Sequence, residues 1–237
     1  PRAVKTWGGS GGAPRAAHEK VRVLWAGWRI PPLPFIPAEH HFTPAIIPLV
    51  VYDGDPEAGQ AAVAPLRAVA EPIADILAPM PYPAIFQLTA DAAERAPIAV
   101  QSAFLDELDD AALAEIVERA RTSPAPMTMT QIRVLGGAVA RVPGDATAYG
   151  FRDRRILVAG LATYEDLATR EAVDAWTADY GNALRRGAAG MYTNFLGQDD
   201  PVSTRAAFPG ATWDRLVELK RRWDPDNLFR RNHNVAP

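Results

Sequence analysis

The chain has 237 residues, enough to bury a proper core as one large domain or two small ones, and its 48% apolar, 22% charged composition is ordinary for a globular protein. A net charge of −3 gives no electrostatic case for nucleic acid or an anionic membrane as a partner. The absence of cysteine excludes disulfides, thiolate metal sites and thiol nucleophiles within this chain. No apolar run is long enough to span a bilayer and no basic-then-apolar leader is visible, so a cytoplasmic location is expected. The chain begins with proline, which leads us to expect a fragment or a processed form.

Residues 1–20 lack periodicity and carry Gly8, Gly9, Gly11 and Gly12, so they read as a flexible tail or linker. A phosphate loop would need a preceding strand and a lysine at the right offset, and neither is present. Residues 21–30 are rich in β-branched and aromatic side chains and form a predicted strand, closed by Pro31-Pro32. A second strand is predicted over 46–52. Asp53-Gly54-Asp55 then turns the chain, and Pro56 opens a helix to about Ala70 with Val63, Leu66 and Val69 as its buried stripe. Tyr82 lies in a proline-rich loop, where its phenol either lines a pocket or packs half-buried on the prolines.

Residues 102–121 read as a helical region with Phe104, Leu105, Leu108, Leu113, Ile116 and Val117 as its apolar positions. Asp106, Glu107, Asp109 and Asp110 make an acidic helix start, a better fit than a calcium loop. Residues 127–135 alternate as a strand. Thr128, Thr130, Ile132 and Val134 take one face; Met129, Gln131, Arg133 and Leu135 take the other. The polar pair Gln131 and Arg133 is either one wall of a pocket or part of an exposed strand face. A further strand over 155–161 precedes a helix over about 165–186, on which Val173, Trp176, Tyr180 and Leu184 recur at helical intervals. Tyr192-Thr193-Asn194 follows, and in a strand-like segment Tyr192 and Asn194 share a face. Arg141 and Arg152 are expected to form structural salt bridges, and Tyr149 is a weaker pocket candidate. The order of elements suggests an α+β fold, mainly an antiparallel sheet with helices collected on one face.

The closing residues, TWDRLVELKRRWDPDNLFRRNHNVAP, read as an amphipathic helix with Trp213, Leu216, Val217 and Trp223 near helical spacing. Asp224-Pro225 stops that helix, and Asp226-Asn227 supplies turn chemistry. Leu228 and Phe229 are expected to anchor the tail back onto a core. Motifs for a nucleophile elbow, zinc helix, Walker loop or dinucleotide fingerprint do not occur, and the adjacent His40 and His41 are expected to point apart, so no metal site is expected.

The run Leu216 to Lys220, Arg221, Trp223 to Asn227, Phe229, Arg230, Asn232 and Asn234 resembles the C-terminal motif of the berberine-bridge-enzyme-like family of FAD-linked oxidases. The stretches YDGDPEAG, MPY, QIRVLGGAVARVP and TAYGFRD are similar to the family in the same order, and the resemblance covers roughly residues 21–237. It implies a linker at 1–20, an α+β substrate domain at 21–190 and a berberine-like segment at 191–237. It implies FAD as cofactor and a small-molecule alcohol, sugar or amine oxidised by hydride transfer to the flavin. By the same resemblance Tyr192 is the catalytic base and lies with Asn194 at the flavin; on the pocket reading of their own segments Gln131, Arg133 and Tyr82 are the expected substrate-binding residues. The FAD-binding half is missing from the pattern, because no glycine-rich phosphate segment is present and none of His18, His40, His41 and His233 sits in a flavin-linking context. A separate FAD-binding domain or chain is therefore the expected partner. The alternative is a non-catalytic binding module derived from the same domain.

Overall fold

A computed structural model describes residues 21–237 apart from 31, 94–96, 126, 165, 167, 187–189 and 198–200. The expected linker at 1–20 and the stop at Gly187 lie outside the described residues. Five strands form one sheet: β1 (Val21–Arg29), β2 (Pro44–Tyr52), β3 (Ile98–Leu105), β4 (Thr128–Val134) and β5 (Ile156–Thr163). Their order is β2-β1-β4-β5-β3, and every neighbouring pair is antiparallel. The helices are α1 (Pro56–Arg67), α2 (Asp110–Thr122), the short α3 (Ala138–Arg141), α4 (Arg170–Arg185), α5 (Pro201–Ala206) and α6 (Ala211–Trp223). Among the described residues no helix is long and apolar enough to cross a membrane.

Helices α2 and α4 cover one face of the sheet. Trp25, Ala103, Ile132, Ile156 and Val158 point into that layer and meet Leu113 and Ile116 of α2 and Tyr180 and Leu184 of α4. Side-chain alternation along each strand sends these residues to the helices and their neighbours to the opposite face. Tyr180 shows no exposure, and its hydroxyl pairs with Thr130 Oγ1 at 2.9 Å, so the one polar atom it buries is satisfied. Burial pushes its phenol well above the usual tyrosine value. Gly160 makes this packing possible, because a Cβ built there would lie 2.5 Å from two Tyr180 ring carbons.

Two helix starts follow local rules. Asp55 caps α1 by accepting from the Ala58 amide at 3.0 Å, and Pro56 occupies the first turn, where no amide donor is needed. Asp109 caps α2 by accepting from the Ala112 amide at 2.8 Å, and the Arg186 guanidinium grips the same carboxylate with two bonds of 2.6 and 2.7 Å.

The helix expected over 102–121 is in fact two elements. Residues through Leu105 belong to β3, and the helix starts only at Asp110. β3 is largely buried on both faces, so its apolar residues carry no clean period, and Phe104, Leu105 and Leu108 fit a helical stripe by accident. The tail also departs from expectation. Leu228 and Phe229 are 78% and 82% exposed rather than anchored on the core. Asp224 shapes this turn instead: it accepts from the Leu228 amide at 2.7 Å, the Phe229 amide at 3.0 Å and the Lys220 ammonium, which also donates to the Phe229 carbonyl at 2.6 Å.

Candidate functional site

The face of the sheet turned away from α2 and α4 carries the polar residues of interest. Register places Ala26, Gln131, Ala159 and Ser102 in one row across β1, β4, β5 and β3, and Leu24, Arg133, Leu157 and Phe104 in the next. Gln131 and Arg133 lie two residues apart on β4 and so project together.

The chain after α4 lies over the β3 side of this face. Gly190 enters it with φ +130°, where a Cβ would also meet the Phe151 ring at 2.8 Å. The Tyr192 amide then donates to Ser102 Oγ at 3.0 Å, and the Gly197 amide donates to the Val100 carbonyl at 3.0 Å. Between these two fixed points the backbone forms a 3-10 turn, Thr193–Phe195, instead of the strand-like segment expected from sequence. The turn still brings Tyr192 and Asn194 together, and the Asn194 Nδ2 donates to the Tyr192 phenol oxygen at 2.9 Å.

Aromatic rings wall one side. Tyr192 meets Tyr149 edge-on at 5.8 Å and Phe195 at 5.6 Å, while Phe104 stacks on Phe151 at 4.7 Å. The Arg133 guanidinium sits 4.6 Å from the Phe195 ring centre, a cation–π distance. Burial lowers the Arg133 pKa from its usual value, and nearby Tyr192 acts in the opposite sense. Burial also raises the Tyr149 phenol, with Tyr192 adding to that effect and Arg152 opposing it. Tyr149 therefore stays neutral at physiological pH.

Two buried polar atoms on this face lack a hydrogen-bond partner: Gln131 Oε1 and Arg133 Nη1. Gln131 Nε2 is spent on the Met129 sulfur at 3.2 Å. An orphaned acceptor and an orphaned donor on one strand suit a ligand that supplies the missing partners. They also suit the polar edge of a flat ring such as a flavin, so the residues present are compatible with that group.

Tyr82 does not join this assembly. It is 74% exposed, its ring contact is with Phe86 at 6.0 Å, and no hydrogen bond or ring contact among the described residues ties it to Gln131, Arg133 or Tyr192. Arg152 is not the salt bridge expected: it donates to the Val139 carbonyl at 3.3 Å and Thr147 Oγ1 at 2.9 Å. A hollow of about 470 Å³ between Val142, Gly150, Arg152, Arg154 and Pro209 adjoins Phe151. Its arginines are engaged through their Nη atoms, Arg154 with Asp106 at 3.0 Å, while Arg152 Nε and Arg154 Nε have no hydrogen-bond partner. Sequence reasoning missed Ser102 and Phe195. Ser102 was hidden by the helical reading of its segment, although alternation within IAVQSAFL puts it beside Phe104 on one strand face.

Residues 191–236 match the family described as berberine and berberine like. An FAD-linked oxidoreductase of Dictyostelium discoideum is 22% identical over 198 residues, which is 81% of this chain and 42% of that protein. Among solved structures, aclacinomycin oxidoreductase superposes with a TM-score of 0.73 at 19% identity, over all of this chain and 51% of its own. A chitooligosaccharide oxidase gives 0.69 at 16% identity, over 92% and 48%. The five-stranded sheet with helices on one face is thus the α+β fold found in these oxidases. The chain carries the berberine-like segment at 191–236, and over most of its length it is similar to FAD-linked oxidoreductases. It spans about half the length of the proteins it matches.

Proposed function

We propose that this chain is the substrate-binding and C-terminal part of an FAD-dependent oxidoreductase acting on an alcohol, sugar or amine-type small molecule. The observation that carries the reading is the Asn194–Tyr192 hydrogen bond of 2.9 Å, set beside the orphaned Gln131 Oε1 and Arg133 Nη1. FAD, when bound, supplies the hydride acceptor for the oxidation.

In this reading each residue has a task. Tyr192 takes the substrate's proton at its phenol oxygen, and Asn194 steadies that oxygen by donating to it. Ser102 holds the Tyr192 backbone, so the phenol is positioned from the rigid sheet. Phe104, Tyr149 and Phe151 exclude water from one side. Gln131 and Arg133 bind polar groups of the substrate. Tyr82, exposed and apart, is assigned to the substrate entrance only if its segment is covered by a partner. That partner is an FAD-binding domain, and the exposed Trp223, Leu228 and Phe229 support such a contact.

The reading is tested by titrating FAD against the chain and following flavin fluorescence and the visible spectrum after excess is removed. Quenching and retained flavin are expected, with affinity reduced about tenfold in Asn194→Ala, the loss of roughly one hydrogen bond to a positioned group. A chain that leaves flavin fluorescence untouched carries no flavin site of its own, and the assignment of Tyr192 and Asn194 to the flavin falls.

A further inference from the structure

The open sheet face carries information about which small molecule it takes. Leu24, Ile47, Leu49, Met129 and Leu161 share it by register with Gln131 and Arg133. The other polar side chains on the described part of this face are already engaged. Ser102 is bonded to the Tyr192 amide, and Thr163 Oγ1 donates to the Met127 carbonyl at 3.3 Å. What remains free is one amide oxygen and one guanidinium.

Arg133 differs from Arg185, the half-buried arginine packed on the other side of the sheet, which donates to the Ser102 carbonyl at 3.0 Å and to Asn182 Oδ1 at 2.6 Å. Arg119, Arg154 and Arg186 each meet a carboxylate within 3.0 Å. Among the described residues no carboxylate pairs with Arg133, whose only described partner is the Phe195 ring. A half-buried guanidinium with an orphaned Nη1 is costly to leave without an anion. A planar guanidinium matches a carboxylate better than it matches scattered sugar hydroxyls. A sugar would also need several free donors and acceptors, and the apolar row supplies none.

We infer that the ligand of this face is a small molecule with an apolar body and a carboxylate, which Arg133 binds while Gln131 Oε1 accepts from a donor on the same molecule. The inference rests on the reading of this face as a substrate site. It narrows the alcohol, sugar or amine range to the acidic, apolar members.

The test is a calorimetric titration of the chain with three probes: 3-phenylpropanoate, its primary amide and cellobiose. The acid is expected to bind about tenfold or more tighter than the amide, because a charge-assisted bond is lost in the amide. Arg133→Gln is expected to abolish that preference, and Arg133→Lys to restore part of it, with circular dichroism confirming the fold of each variant. Equal affinity for acid and amide overturns the inference on the wild-type protein alone. So does tighter binding of cellobiose, or absence of binding by the acid, which would assign Arg133 to a carboxylate of a partner domain. Flavin titration reads the parent proposal separately: retained flavin with no acid preference removes only the substrate class.

Discussion

Ser102 Oγ accepts the backbone amide of Tyr192 at 3.0 Å, linking the third strand to a turn ninety residues away in sequence. Ser102 is 1% exposed and Tyr192 is half-buried, so the bond between them is partly shielded from water. Ser102→Ala should therefore cost about 1–3 kcal/mol, the penalty of leaving a partly buried donor unsatisfied. Urea unfolding measures it, and a change below about 0.5 kcal/mol would show that the turn is held by its aromatic packing instead.

Gly160 leaves room for the Tyr180 ring. Gly160→Ala should destabilise by about 1–3 kcal/mol, because the new Cβ meets ring carbons at 2.5 Å in a layer with no slack. In a Tyr180→Leu background the same substitution should cost much less, since the two positions share one volume. A double-mutant cycle in urea decides this, and additive effects would contradict the steric account.

Asp224 gives the tail a pH dependence. The Lys220 hydrogen bond holds its carboxyl below the usual carboxylate range, and the Leu228 and Phe229 amides act in the same direction. A depressed folded pKa means that the unfolded chain binds the proton more readily, so this stabilisation is present above the unfolded value of about 3.9 and is lost as pH falls through the lower folded value. Amide exchange at Leu228 and Phe229 should be slow at neutral pH and show loss of protection only below about pH 4. Asp224→Asn should show weak protection throughout. Protection unaffected by either change would mean that the ion pair does not shape the turn.

Leu228 and Phe229 are mostly exposed, so Leu228→Ser and Phe229→Ser should each change the stability of this chain by no more than about 0.5 kcal/mol. Thermal melts suffice. Losses of about 2 kcal/mol or more would mean that these side chains are buried on the core after all.

Sequence alone determined the features that depend on near neighbours. Alternation placed Gln131 and Arg133 on one strand face, helical spacing placed Tyr180 and Leu184 on another core-facing stripe, and Asp224-Pro225 marked the end of the last helix. The C-terminal motif pointed to the family, because its turn residues are specified locally. Tertiary structure decided the rest. The third strand is buried on both faces and lost the period that distinguishes it from a helix. Ser102 and Tyr192 meet only because the sheet order puts the third strand at an edge, where the returning chain crosses it. Leu228 and Phe229 read as anchors because their apolarity is local, but burial requires a surface to receive them. Contacts between distant residues are set by the sheet's register and the chain's path over it, and no short window of sequence contains either.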